Sequence, residues 1–226
     1  MTSSAAEIIW KDDALPVSAR FDDPYFSMVN GLEETRHVFL SGNDLHSRLR
    51  DGFHIAELGF GTGLNFLATL YLWRQSEQPG RFHFTSFEAF PMDEPEMARA
   101  LEAFPELTSL ANEFLSVWKG IDQVCDLGDA ELRVIGGDAR ETLPVWQGRA
   151  DAWILDGFSP AKNPELWGAD LLNAVAAHTA AGGTAATYSA AGHVRQKLTD
   201  AGFEVERIPG FGRKRHMTRA WMEPSA

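Results

Sequence analysis

The sequence has almost no cysteine, no long apolar run and a shortage of positive charge. A single cysteine in 226 residues, Cys125, excludes an internal disulfide framework and a cysteine-rich zinc site, and no metal site is expected. No apolar stretch approaches the ~20 residues that a helix needs to cross a bilayer. Residues 1–10 lack the basic start and apolar core of a signal peptide, so a cytoplasmic location without membrane contact is the expectation. Lys and Arg number 20 against 32 Asp and Glu, a formal charge of −12. That balance speaks against a protein that coats DNA or RNA through general basicity. It leaves room for local positive charge, because residues 207–219 hold Arg207, Arg213, Lys214, Arg215 and Arg219 with no carboxylate among them. Basic clusters of this kind also occur on ordinary solvated faces.

What is present suits one sizeable α/β domain with a short extension: 44% of residues are hydrophobic and 23% charged. No repeat, low-complexity tract or Gly/Ser linker interrupts the chain. Residues 1–50 are irregular in pattern, punctuated by Pro16, Pro24, Gly31 and Gly42, and are read as an extension packed on a core domain of residues 51–226. Within the core domain, apolar strand patterns at 53–58, 82–87, 132–135, 152–155 and 184–188 alternate with helical patterns at 64–73, 94–104, 106–117, 165–178 and 193–201. Residues 204–208 and 218–222 read as a closing pair of strands. This alternation predicts a doubly wound, mostly parallel, Rossmann-like sheet whose ligands lie beyond the carboxyl ends of its strands.

The strongest local signal is Glu57-Leu58-Gly59-Phe60-Gly61-Thr62-Gly63, directly after a strand and before a helix. Glycines there let the backbone turn sharply and approach a ligand closely. A dinucleotide loop places its third glycine one residue later, and an acid beside the loop would repel a pyrophosphate. The same acid suits the ammonium and sulfonium charges of S-adenosylmethionine. Two more carboxylates fall at successive strand ends. Glu88 is placed to accept ribose hydroxyls, and Asp138, in Gly136-Gly137-Asp138-Ala139, to accept from an adenine amino group. Singly, either is equally readable as a helix N-cap, Asp138 above all.

The fourth strand ends in Asp156-Gly157-Phe158-Ser159-Pro160-Ala161-Lys162-Asn163-Pro164-Glu165-Leu166-Trp167, where this architecture puts the transferred methyl group. Methyl transfer to an amine is an in-line displacement that needs a neutral nitrogen held in place. Asp156 is expected to accept the amine's N–H and to favour proton loss as charge builds on nitrogen. Phe158 supplies an apolar wall or stacks on a base. Lys162 is within reach of a phosphate in this reading, and Asn163 orients the loop or the substrate. The alternative for Asn163, Pro160 and Pro164 is that they only shape a turn.

With these residues in view, the chain resembles the methyltransferase domain of the tRNA 5-methylaminomethyl-2-thiouridine biosynthesis proteins (MnmC type). The resemblance is carried by Leu15-Pro16-Val17-Ser18, by the segment from Phe21 to Ser27, and by Asn30-Gly31-Leu32-Glu33-Glu34-Thr35-Arg36. It continues through Val38-Phe39-Leu40, Gly42-Asn43, Gly63-Leu64-Asn65-Phe66, Ser86-Phe87-Glu88, the Asp156–Trp167 motif and Gly210-Phe211-Gly212-Arg213-Lys214-Arg215. It implies a class I methyltransferase fold and S-adenosyl-L-methionine bound by Glu57, Gly59, Gly61, Gly63, Asn65, Glu88, Asp138 and Asp156. It also implies N-methylation of an aminomethyl group on the wobble uridine of tRNA, with Asp156 and Phe158 as catalytic residues. Lys162, Asn163, Arg213, Lys214 and Arg215 then become substrate-binding, with the basic strip on anticodon-loop phosphates and Arg36, Arg48 and Arg50 as its possible continuation.

Many members carry a flavin-dependent oxidase domain after this one. Here the residues stop at Ala226 without a second nucleotide-binding pattern, so a stand-alone member or one domain of a longer protein is expected. Competing readings are a methyltransferase for a small amine, an aminopropyl transferase of the same fold, a catalytically silent partner subunit and an NAD-dependent dehydrogenase. Intact acids at four strand ends disfavour the silent subunit, and the loop spacing disfavours the dehydrogenase.

Overall fold

The architecture comes from a computed structural model, which describes residues 5–27 and 30–224. The chain opens with three short strands, β1 (Ile8–Lys11), β2 (Leu15–Ser18) and β3 (Asp23–Pro24), paired antiparallel in that order. The helical turn α1 (Gly31–Thr35), a π-helical turn over Arg36–Ser41 and α2 (Leu45–Arg48) follow. The alternating part comprises β4 (His54–Leu58), α3 (Leu64–Gln75), β5 (Phe82–Glu88), α4 (Glu94–Leu101), α5 (Thr108–Val117), β6 (Val124–Asp126), β7 (Ala130–Gly136), α6 (Ala139–Thr142), β8 (Ala150–Leu155), α7 (Ala169–Ala177), β9 (Thr179–Thr187), α8 (Gly192–Asp200), β10 (Glu204–Pro209) and β11 (His216–Trp221).

Eight strands form one sheet in the order β10-β11-β9-β8-β4-β5-β7-β6, parallel from β9 to β7, with β11 and β6 antiparallel to their neighbours. The expected doubly wound α/β sheet is therefore present. Its strand order reverses at β4, between β5 and β8, and ligands of open α/β sheets bind at that point. The central strands read as near-continuous apolar runs because both faces are covered. β4 is buried along Ile55-Ala56-Glu57-Leu58, and α3 is buried nearly all round because it lies between the sheet and the N-terminal turns. At the start of α4, Asp93 accepts from the Glu96 amide at 2.9 Å, with Pro95 in the first turn, as N-capping chemistry requires.

The irregular pattern of residues 1–50 conceals real structure. Leu32, Val38, Phe39, Leu40, Leu45 and Leu49 share a continuous core with α3 and the central strands. Asn43 fastens this segment to the sheet: its Nδ2 donates to the Trp153 carbonyl at 3.0 Å, and Thr184 Oγ1 donates to its Oδ1 at 2.7 Å. Arg48 donates to the carbonyls of Asp151 and Gly182 at 3.0 and 3.1 Å. Arg48 therefore does not continue the basic strip. It is a buried-side clamp satisfying strand-end carbonyls. Arg50 pairs with Asp151, and Arg36 with Glu33 and Glu106. Among the described residues, no helix is long and apolar enough to cross a membrane.

Candidate active site

The glycine loop between β4 and α3 turns with positive φ at Gly59, Gly61 and Gly63. At Gly59 (φ +83°) the need is also spatial, since a Cβ would stand 3.2 Å from Gly157 Cα across the switch point. At Gly157 (φ +104°) a Cβ would instead collide with the Leu166 side chain.

Register places the carboxylates. β4 and β5 align Glu57 with Ser86, and Ser86 Oγ donates to Glu57 Oε2 at 2.6 Å. Asn65, in the first turn of α3, donates from one amide nitrogen to Glu57 Oε1 at 2.8 Å and to Asp156 Oδ2 at 2.7 Å. Thr35 Oγ1 donates to Asn65 Oδ1 at 3.0 Å, which fixes the amide's orientation. Glu57 is fully buried, and burial pushes its carboxyl well above the usual carboxylate range against the two donors that lower it. Glu57 and Asn65, both expected to bind the cofactor, are joined in this chain to Asp156, which the shared Asn65 amide holds in place. Asp156 itself, at the end of β8, is raised to about 6, chiefly by burial, with the Asn65 hydrogen bond opposing.

The crevice has a volume of about 490 Å³ and is lined by Gly59, Glu88, Gly137, Asp138, Gly157, Phe158 and Asn163, roofed by Arg20 and Phe21 of the extension. That volume is of the size that small-molecule sites use. Glu88 accepts from the Gly61 amide at 3.0 Å and the Phe90 amide at 2.7 Å, one per oxygen. Each oxygen keeps a second lone pair for a ligand hydroxyl. Burial raises the Glu88 carboxyl, and the backbone donors of Gly61 and Phe90 oppose the shift. Asp138 caps α6, accepting from the Arg140 amide at 2.9 Å, and pairs with the Arg140 guanidinium. The side-chain hydrogen bond from Arg140 holds its carboxyl below the usual range. Its capping role is therefore real, and it still lines the crevice.

Phe158 stacks on Phe21 with ring centroids 4.7 Å apart and meets the edge of Tyr25 at 5.3 Å. Trp167 Nε1 donates to the Phe158 carbonyl at 3.0 Å, fixing the loop from below. Asn163 precedes a short 3-10 turn over Pro164–Trp167 without a capping bond from its side chain. Lys162, expected to bind substrate, pairs with Asp22 and Asp23, while the Ser159 amide donates to Asp23 Oδ2 at 2.9 Å, so these contacts tie residues 22 and 23 to the loop after β8. Lys214 pairs with Glu34, its ammonium 2.7 Å from Oε1, and like Arg213 and Arg215 it is exposed.

Sequence reasoning missed Arg20, Phe21, Tyr25, Glu34 and Tyr188. Phe21 and Tyr25 lie in a segment that carried the family resemblance but offered no chemistry by itself. Tyr188 Oη donates to the Gly157 carbonyl at 2.7 Å, and burial pushes its hydroxyl upward, with the Asp156 charge adding to the shift.

A family model described as S-adenosyl-L-methionine-dependent methyltransferase matches residues 102–223. The chain is 48% identical over 230 residues to the tRNA 5-methylaminomethyl-2-thiouridine biosynthesis bifunctional protein MnmC of Caulobacter vibrioides, covering 98% of this chain and 39% of that protein. The protein of the same description from Leptospira borgpetersenii is 46% identical over 92% of this chain and 33% of its own length. The chain thus spans about two fifths or less of the curated relatives it matches. Among solved structures, MNMC2 from Aquifex aeolicus superposes with a TM-score of 0.74 at 29% identity, covering 99% of this chain and 72% of that one. A methyltransferase from Pyrococcus furiosus, at 17% identity and a TM-score of 0.51, shares the fold.

Proposed function

The chain belongs to the S-adenosyl-L-methionine-dependent methyltransferase family, MnmC type, and from that premise we propose that it methylates the aminomethyl group on the wobble uridine of tRNA. The observation that carries this reading is the Asp156 carboxylate, buried and oriented by the Asn65 amide, immediately before Gly157 and Phe158, which line the crevice. S-adenosyl-L-methionine is the cofactor, and it supplies the electrophilic methyl group. The crevice fits it: a close-approaching glycine backbone, the Glu88 oxygens for ribose hydroxyls, and Asp138 with Ala139 at the adenine end.

The chain's own residues do the remaining work. Asp156 accepts an N–H of the acceptor amine and aims its lone pair along the displacement line. As nitrogen becomes positive, the same carboxylate stabilises that charge and takes the departing proton. Glu57, Asn65 and Thr35 hold the carboxylate in one orientation, so little reorganisation accompanies the reaction. Phe158, Phe21 and Tyr25 form an apolar wall that excludes water, and Phe158 offers a face to the base. Incubating the protein with labelled S-adenosyl-L-methionine and tRNA carrying the aminomethyl group should yield labelled 5-methylaminomethyluridine on nucleoside mass analysis. Label found only with small amines, and none in tRNA, would instead favour the small-amine methyltransferase.

The RNA contact assigned to Arg213 and Arg215 rests on their exposure at the turn between β10 and β11 in a chain of formal charge −12. Neutralising both should raise the Michaelis constant for tRNA and flatten its log–log salt dependence by roughly 0.7 to 0.9 per lost phosphate contact. Cofactor affinity and melting temperature should stay put. An unchanged salt slope in the folded double variant removes these two residues from the interface. Anticodon-loop binding and a partner oxidase domain belong to the same proposal, and the relatives' description as bifunctional agrees with a second domain.

A further inference from the structure

Lys214 does something that its position in a basic run does not foretell. Its ammonium lies 2.7 Å from Glu34 Oε1 and 4.0 Å from the centroid of the Tyr188 ring. The three side chains come from distant parts of the chain: Glu34 from α1, Tyr188 from the residue after β9, Lys214 from the turn between β10 and β11. Glu34 is largely covered, its side chain 15% exposed against 47% for Lys214, so the carboxylate and not the lysine belongs to the fixed part of the arrangement. An aromatic face beneath a cation with a carboxylate beside it is how proteins recognise ammonium groups, whereas an ordinary surface ion pair needs no aromatic floor.

The cluster adjoins the reacting end of the site. The Tyr188 hydroxyl is anchored on the carbonyl of Gly157, the residue after Asp156. Thr35, next to Glu34, reaches Asp156 through Asn65. The charges of Lys214 and Glu34 also both act on the Asp156 carboxyl, in opposite senses.

We propose that Glu34 and the Tyr188 ring form the subsite that first receives the acceptor's primary alkylammonium group, which releases one proton to solvent before the neutral amine is methylated, and that Lys214 is its resident occupant, displaced when the substrate enters. A lysine side chain ends in the same CH₂–NH₃⁺ group as an aminomethyl substituent, so the structure displays the subsite filled by the chain's own analogue. The occupant excludes free small cations, and an RNA-borne amine delivered at high local concentration replaces it. The inference rests on the amine-acceptor reading above.

The test measures the affinities of two anticodon stem-loops for the chain saturated with S-adenosylhomocysteine. One carries 5-aminomethyluridine at the wobble position, the other the neutral 5-hydroxymethyluridine, and the quantity of interest is the ratio of their dissociation constants. Lys214→Met removes the competitor and should raise the preference for the amine about tenfold, while Glu34→Gln and Tyr188→Leu should lower it by a similar factor. Tyr188→Phe keeps the ring and should keep the preference, which guards against misreading a folding defect in the leucine variant. If Lys214→Met shifts both RNAs equally, Lys214 is a phosphate contact and the subsite is lost. An unchanged ratio in folded Glu34→Gln overturns the proposal as well. Failure of the amine-acceptor reading would appear separately, as absence of methyl incorporation into aminomethylated tRNA by the unaltered chain.

Discussion

Asp156→Ala is expected to cut the single-turnover methylation rate at least about 100-fold, the lower range for a positioned acid–base group, while cofactor affinity changes little. The reason is geometric. Asn65 and the backbone hold one carboxylate at the end of β8, and no second acid shares its bond to that amide apart from the fully buried Glu57. The pH profile makes the claim sharper. An alkylamine with a pKa near that of lysine, about 10.4, is mostly protonated at neutral pH, so the rate per encounter should rise about tenfold per pH unit as the amine loses its proton. Asp156 must be ionised to accept from the amine, and its carboxyl is raised to about 6. Below that pH the unaltered chain should therefore lose rate about a hundredfold per unit, whereas Asp156→Ala should keep the shallower slope throughout. A variant with near-normal rates, or parallel profiles for both proteins, would show the carboxylate to be structural.

The same shift predicts a stability effect of definite sign. Asp156 rises from an ordinary 3.8 to about 6, so the folded chain binds this proton more tightly than the unfolded chain does. The favourable contribution is complete below the unfolded value and is lost as pH rises through the folded one. Asp156→Asn resembles the protonated form and should melt higher than the unaltered chain above pH 6, with the difference closing near pH 4. A carboxylate kept ionised in a covered position at the expense of stability is the usual condition of a working group.

Glu88→Ala is expected to weaken cofactor binding by roughly ten- to a hundredfold, in line with ~1.5–3 kcal/mol for hydrogen bonds to a charged acceptor. Glu88 also holds the Gly61 amide of the glycine loop and the Phe90 amide of its own strand-end turn, so the variant loosens both turns. Glu88→Gln separates the effects. It retains an oxygen for one amide and loses the charge, so its affinity should fall between the two. Calorimetry with S-adenosylhomocysteine, read beside melting curves without ligand, distinguishes a lost ligand contact from a softened loop. An unchanged dissociation constant in folded Glu88→Ala would remove Glu88 from the site.

Much of the fold is written locally in the chain. The alternation of short apolar strands with helical periods from residue 53 onward gives a doubly wound sheet, and the glycine spacing after Glu57 marks the crevice. These are short-range signals, set by side-chain period and by the backbone freedom of glycine. The small sheet of β1, β2 and β3 escaped because its strands are very short and its turns use Asp12, Asp13 and Asp22 at positive φ, residues whose composition reads as plain loop. β9 begins at Thr179, five residues earlier than expected, because Thr179-Ala180-Ala181-Gly182-Gly183 has no strand pattern of its own and is recruited by pairing with Ala150 across an irregular register.

The site divides along the same line. Sequence alone determined which carboxylates stand at successive strand ends, since that follows from where each strand stops. Only the tertiary structure decided what each charged side chain does there. Lys214 meets Glu34 across 180 residues, Lys162 meets the Asp22 carbonyl across 140, and Arg48 reaches Gly182 across 134. In a run of residues a lysine is simply a positive charge. Whether it faces solvent, clamps a carbonyl or fills a subsite depends on which distant carboxylate or ring the packing brings within about 4 Å, where the interaction between opposite charges becomes strong enough to fix a flexible side chain.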